Sequence, residues 1–316
     1  MRRRRALTWL VMAAAWLAMN GCGSGFRVDE SGIPIPPPAG FFFALQFGAA
    51  GTGDAQFTSP TGLAVDSQGR VWVADSNNHR IQRFSNSGSF DLKTGSLGSG
   101  SGQFNLPQGL AIDAQDQVYV TDTNNARIVR VSANGAFQLS FGSAGGTPGT
   151  LTAPLALAIA PGGDLFVLDA LPRVQRFTSA GTFVSQFGQA GFGDGQLTGP
   201  SGIAVDSASN VFVADVAQGR VQKFSSGGAF LASFGKGQLN RPGFLAFDAS
   251  GDLLVSDAGN ARIARFTTEG VFVGAFGGAG SGDGQFVETA GLGTDREGSV
   301  FVVDARPRVE KFRFVP

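Results

Sequence analysis

The chain carries the pattern of an all-β fold, a six-bladed β-propeller with four antiparallel strands per blade. Three observations point there. The first is a repeat. An Asp closing a short apolar block recurs at Asp75, Asp122, Asp169, Asp215, Asp257 and Asp304, with gaps of 47, 47, 46, 42 and 47 residues. A period of about 40–50 residues marks a propeller or solenoid. The second is local chemistry. Blocks rich in Val, Ile and Phe are separated by Gly, Asn, Ser and Asp, which is how strands alternate with turns. The third is continuity. Val71-Trp72-Val73 and Val118-Tyr119-Val120 are apolar at every position, as strands covered on both faces are.

Each unit supplies four blocks, here strands a to d. In the first unit, block a is Pro60 to Asp66, block b is Val71 to Asp75, block c is Arg80 to Phe84, and a Gly-x-Phe segment is block d. Four antiparallel strands per repeat of this length make a blade. Strand a is expected nearest the axis, where blades crowd, and Gly62, Ala64, Gly109, Ala111, Gly202 and Ala204 suit that crowding. Phe57, Phe104, Leu151, Leu197, Leu239 and Phe286 each precede the Pro position by three residues. They are expected to form an apolar ring between neighbouring blades.

The last repeat ends on a strand c, Lys311-Phe312-Arg313-Phe314, with no strand d after it. The missing strand is legible at the other end, because Phe41 to Gly48 matches the strand d at Gly181 to Gly188. The N-terminal strand is therefore expected to complete the sixth blade, which removes an open edge. Phe41 to Pro316 is 276 residues, or 46 for each of six blades.

Before the propeller, Arg2 to Arg5 and an apolar run from Ala6 to Met19 have the form of a secretory signal, residues 1–21. The run is short for a permanent span. It ends in Met19-Asn20-Gly21-Cys22, which resembles the bacterial lipoprotein processing box. Cys22 is the only cysteine, and its place directly after the apolar run argues for lipidation over chance. The alternative is an ordinary signal. Residues 22–40 follow as a tether whose Ile33-Pro34-Ile35-Pro36-Pro37-Pro38 favours polyproline II. The expectation is an exported protein held on a membrane by its N-terminal lipid.

Removing the signal takes away four of 24 basic residues and none of the 24 acidic ones, which leaves 20 against 24, or −4. That balance disfavours nucleic acid as a partner. With one cysteine, stability must come from packing and closure and not from disulfides.

The first repeat runs Pro60-Thr61-Gly62-Leu63-Ala64-Val65-Asp66, then Val71 to Phe84 as Val-Trp-Val-Ala-Asp-Ser-Asn-Asn-His-Arg-Ile-Gln-Arg-Phe. This is similar to the NHL repeat, and the resemblance covers Phe41 to Pro316. It implies a six-bladed propeller, and a fold that hosts binding, scaffolding and some enzymes. The third repeat departs from the motif at Ala156 and Ala160, and the sixth at Thr289, where the others carry Pro. The third and sixth also have shortened b–c loops, Ala170 to Arg173 and Ala305 to Arg308. Those blades are opposite, so a pseudo-twofold face is expected.

Every repeat pairs the Asp closing strand b with an Arg four or five residues on. The pairs are Asp75/Arg80, Asp122/Arg127, Asp169/Arg173, Asp215/Arg220, Asp257/Arg262 and Asp304/Arg308. Six near-identical copies read as structural braces, since an active site needs asymmetry. The loop residues that vary are better binding candidates: Asn77, Asn78, His79, Asn124, Asn125, Gln218, Asn260 and Arg306. The competing reading makes each a turn former. Strand order puts the b–c and d–a loops together at one end, so that end is the expected binding face. The glycine clusters Gly98 to Gly102 and Gly277 to Asp283, with Asp54, Asp194 and Asp283, read as d–a loops and not as phosphate or calcium sites.

Catalysis is tested by inventory. Amidating lyases of NHL-like fold use several histidines around a metal, but His79 is the only histidine here. A lactonase-like propeller uses carboxylates and Asn around a divalent ion in the central channel. Strand a offers no inward Glu, although Glu288 and Glu297 flank the sixth. The expectation is a non-catalytic, monomeric binding or scaffold module for a protein or glycan partner, without a cofactor or metal. The alternative is a lactonase or lyase with a divalent metal in its channel.

Overall fold

A computed structural model describes residues Gly40–Pro316. The signal, Cys22 and all of the tether but Gly40 lie outside them. The described chain forms six four-stranded antiparallel sheets, each one repeat deep. In blade one, strands a to d are Pro60–Val65, Val71–Asp75, Arg80–Phe84 and Phe90–Thr94. Blades two to five repeat this order. In blade six, strand a is Thr289–Thr294, b is Val300–Asp304 and c is Arg308–Val315. Its fourth strand is Gly40–Phe47, paired antiparallel with strand c from Gly40↔Val315 to Phe47↔Val309. The N-terminal strand thus closes the ring as expected. Its phenylalanines are only partly covered: Phe41, Phe43 and Phe47 are half-buried and Phe42 is exposed. Strand d is the outermost strand, with one face open to water.

Strand a lines the axis, and each touches strand a of both neighbouring blades. The approach is close. A Cβ on Gly62 would meet the Gln108 carbonyl of blade two well inside contact distance, and one on Gly202 would do the same to the Gly243 carbonyl. The glycines of strand a are therefore steric requirements.

The core is divided among the six seams. One apolar cluster joins Phe57, Val71, Val73 and Phe84 to Phe301, Val303 and Val309, which is blade one against blade six. Another joins Phe166, Leu168 and Val174 to Val211, Val213 and Phe224, blade three against blade four. The ring from Phe57 to Phe286 is buried at all six positions.

Strand c carries a second ring. The fourth residue of strand c is basic in every blade: Arg83, Arg130, Arg176, Lys223, Arg265 and Lys311. In five blades its cation stacks over an aromatic ring of strand b, as Arg83 does on Trp72 at 5.1 Å and Lys311 on Phe301 at 5.0 Å. Arg265 faces Leu254 in strand b and stacks on Phe314 of blade six instead. Several of these side chains also cross the seam. Lys223 donates to the Thr268 carbonyl at 3.0 Å, Arg83 to the Ala133 carbonyl, and Lys311 to Asn86 Oδ1. A cation over an aromatic face contributes about 0.5–2 kcal/mol.

Candidate functional site

The b–c and d–a loops lie together, as strand order requires: Asn77 N–H of a b–c loop donates to the Thr58 carbonyl of a d–a loop at 3.1 Å. The Asp at the end of strand b organises this end. All six of these carboxylates are fully buried. Asp75 accepts from Thr58 N at 2.7 Å, Asn78 Nδ2 at 2.8 Å, Arg80 Nε at 2.8 Å and Gln82 Nε2 at 3.1 Å. Arg80 then reaches the Gly53 and Gln56 carbonyls and pins the d–a loop. A buried carboxylate with this many donors braces the loops and has no lone pair aimed at a ligand.

The six Asp/Arg pairs are not the near-identical copies that the repeat predicts. Three of them, Asp75/Arg80, Asp169/Arg173 and Asp304/Arg308, close with both partners buried. Asp122/Arg127 and Asp257/Arg262 also close, each at 2.7 Å, but only the Asp is buried: the Arg127 side chain is 14% exposed and that of Arg262 is 30% exposed. The physical reason lies two residues further along strand c. Blades two and five have Val129 and Ala264 there, where the other four blades have a longer Gln or Glu. A shorter side chain leaves the guanidinium open to water. Arg127 still pins its d–a loop through the Ser99, Gly100 and Gln103 carbonyls. Arg262 reaches only the Gln238 carbonyl and stacks on Phe272. Solvent screening makes these two the weaker braces.

The pair Asp215/Arg220 does not close at all. Asp215 accepts from Gln218 Nε2 at 3.0 Å, while the nearest carboxylate to Arg220 is Asp194 at 3.9 Å. Arg220 Nε, although buried, has no partner. The b–c loop of blade four is built differently. It lacks the single 3₁₀ turn that Ser76–Asn78, Thr123–Asn125 and Ala258–Asn260 form in blades one, two and five. Blades two and five therefore match in their loops, as do three and six, while blade four differs from blade one opposite it, so the expected pseudo-twofold character is broken at that one pair.

The varied loop residues divide into two groups. Asn78, Asn125, Gln218 and Asn260 each donate to the Asp of their own blade at 2.8–3.0 Å. His79 has a left-handed backbone (φ 54°), and its Nδ1 accepts from Leu106 N–H of the next repeat. These five side chains hold the loops. Asn77 donates to Ser59 Oγ, Asn124 to Asn105 Oδ1 and Arg306 to the Ser281 carbonyl, and these three hydrogen bonds lie at the solvent-exposed surface.

The same end carries a depression of about 310 Å³ over blades one, four, five and six. Pro60, Val216, Phe244, Ala258, Ala290 and Ala305 give it an apolar lining. Arg241 and Glu288, each the residue before strand a of its blade, form an ion pair across it at 2.6 Å, with the Arg241 side chain 62% exposed. Arg241 holds a left-handed backbone (φ 54°), a conformation that costs a non-glycine residue roughly 1–2 kcal/mol. Thr289 also lines the depression. It is buried, and its Oγ1 has no hydrogen-bond partner. An orphaned buried hydroxyl costs about 1–3 kcal/mol. Exposed apolar side chains, Phe192 at 76% and Val287 at 58%, stand on the neighbouring d–a loops.

In the sequence Thr289 is a departure from Pro and Glu288 a flanking carboxylate, and nothing there joins the two to Arg241. The signal for Thr289 was there: the one repeat without Pro puts a hydroxyl where the others have a ring. Arg241 left no signal, because nothing in a one-dimensional repeat shows that residues 241 and 288 face each other. Among the described residues, no three His, Cys, Asp or Glu side chains are grouped to hold a metal ion.

Fold and loop chemistry together define a six-bladed β-propeller, three of whose blades match the NHL repeat. The NHL repeat model matches residues 57–84, 104–131 and 239–266, the first three strands of blades one, two and five. The B-box type zinc finger protein ncl-1 of Caenorhabditis elegans is 38% identical over 81 residues, 23% of this chain and 10% of that protein. The likeness thus spans a tenth of that relative. Among solved structures, virginiamycin B lyase from Staphylococcus aureus aligns with a TM-score of 0.62 at 15% identity, covering 87% of this chain and 100% of that chain. A gluconolactonase from Xanthomonas campestris aligns with a TM-score of 0.62 at 18% identity, covering 82% and 87%. At these identities the likeness is one of fold.

Proposed function

We propose that this is an exported, membrane-anchored and non-catalytic binding propeller. It takes a segment of a protein or glycan partner at the end carrying the b–c and d–a loops. The observation that carries the reading is the depression beside Thr289. Most polar groups at this end are spent on the loops themselves. One exception is the unpaired buried hydroxyl of Thr289, next to an exposed ion pair and an apolar lining. That combination suits a segment presenting one apolar group and a few hydrogen-bonding groups. Asn77, Asn124 and Arg306 form the outer contacts. Anchoring rests on the apolar run that ends at Cys22.

Peptide and glycan arrays probed with the purified protein supply a ligand, and three variants then test the site. T289P restores the repeat residue and removes the hydroxyl. V216D charges the apolar lining. Q115A alters the opposite end, where a–b loops frame a second depression of about 500 Å³. T289P and V216D should each weaken binding by about tenfold or more, which is roughly 1.4 kcal/mol, and Q115A should leave it unchanged. The reverse pattern would move the site to the a–b end. Turnover of a lactone or peptide by the purified protein would replace binding with catalysis. C22S should release the protein from the membrane fraction, and unchanged fractionation would remove the anchor.

A further inference from the structure

The third residue of strand c is the point where blade six departs from its neighbours. Blades one, three and four have a buried Gln there: Gln82, Gln175 and Gln222. Each amide holds the preceding d–a loop from both sides. Nε2 donates to the carbonyl of Gln56, Thr150 or Gln196 at 2.6–2.7 Å. Oε1 accepts from Ala55, Gly149 or Gly195 N–H at 2.8–3.1 Å. Blade six has Glu310, also fully buried. Its Oε2 accepts from Gly284 N–H at 3.0 Å, which reproduces the accepting half of the pattern. An ionised carboxylate cannot supply the donating half, and a protonated one can.

The surrounding charges sharpen the contrast. Arg308 is shared by two buried carboxylates, with Nη2 3.2 Å from Asp304 Oδ2 and 2.5 Å from Glu310 Oε1. The second contact is outside hydrogen-bonding geometry, so Glu310 Oε1 has an ion contact with Arg308 but no hydrogen bond. Asp283, on the d–a loop, adds a further negative charge. Arg308 Nη1 also donates to Gln46 Oε1 of the N-terminal strand, and Gln46 is the direct cross-strand neighbour of Glu310. The group that departs from the pattern therefore stands against the strand that closes the ring.

We infer that Glu310 is a proton-operated latch on ring closure: its protonated form completes the hydrogen bonds that a Gln makes in other blades, and ionisation loosens the hold on Gly40–Phe47. Burial is the largest influence on this carboxyl and raises its pKa from 4.5 to about 7, Asp304 and Asp283 acting in the same direction and Arg308 against it. The folded pKa is above the unfolded one. The stabilisation is therefore fully present below about 4.5 and is lost as pH rises through about 7.

The test compares the full protein with E310Q, whose amide cannot ionise, at matched pH. Near pH 5 the two should melt within about 1 °C of each other. Near pH 8 E310Q should melt higher by roughly 2–5 °C, a shift of the size that 1–2 kcal/mol produces in a domain this large. Hydrogen exchange in Gly40–Phe47 should slow in E310Q relative to the parent above pH 7, and match it near pH 5. Infrared difference spectra should show a protonated-carboxyl band that E310Q lacks and that fades with a midpoint near 7. A melting difference independent of pH, or E310Q the less stable at pH 8, would overturn the latch. So would a carboxyl band that is already gone at pH 5.

Discussion

Blades one and six have the same strand order and the same buried Asp, yet they are held together differently. Blade one is continuous in sequence, and Asp75 gathers four donors, among them Asn78, Arg80 and Gln82. Blade six borrows its outer strand from the start of the described chain. Its shortened b–c loop has no Asn to offer, and Glu310 replaces the Gln. Asp304 is left with the N–H groups of Val287 and Glu288 and an Arg308 that it shares. The blade that closes the ring thus has thinner polar bracing than the blade beside it. The difference teaches that a repeat motif sets the scaffold of every blade, while departures within it decide where the scaffold yields.

The largest effect should come from removing the borrowed strand. Deletion of residues 40–47 exposes the whole outer edge of Arg308–Val315 and uncovers Phe276, Phe312 and Phe84, against which Phe41, Phe43 and Phe47 pack. Partly buried, each Phe contributes below the roughly 1.5–3 kcal/mol of full burial. The sum still takes up much of a native stability of about 5–15 kcal/mol. One cooperative melting transition should shift far down or disappear, and an unaltered transition would break the account of closure.

Removing the organising carboxylates comes next. D75A strands a buried Arg80 and should cost about 3–5 kcal/mol in chemical denaturation. D304A should cost clearly less, because Arg308 keeps Glu310. Equal losses would mean that the two blades are braced alike.

A smaller contrast separates R80A from R220A. R80A breaks a closed buried pair and belongs with D75A. R220A removes hydrogen bonds to the Gly193 and Gln196 carbonyls but no ion pair with Asp215, and should cost about 1–2 kcal/mol. Smallest of all are N77A and R306A. Their exposed side chains should change stability by about 0.5 kcal/mol or less, while binding at the proposed face should weaken measurably. A large melting shift in either would place it among the bracing residues instead.

By itself the sequence determined the six blades, their four strands, the axial glycines, the seam ring from Phe57 to Phe286 and the closing strand. Each is written locally, as a period, a run of apolar residues or a Gly before a neighbouring backbone, and survives translation into one dimension. Only the tertiary structure decided that Asp215 and Arg220 stay apart, that Arg127 and Arg262 stay open to water, and that Asn78 and Gln218 are spent on their own loops. It alone brought Arg241 to Glu288 over the unpaired Thr289 hydroxyl. The same holds for Glu310 against Arg308 and Gln46, which brings residues 46 and 310 side by side. Hydrogen bonds depend on distance and direction to within a few tenths of an ångström. A repeat specifies which side chains are available at each blade, and the closed ring decides which of them already have partners.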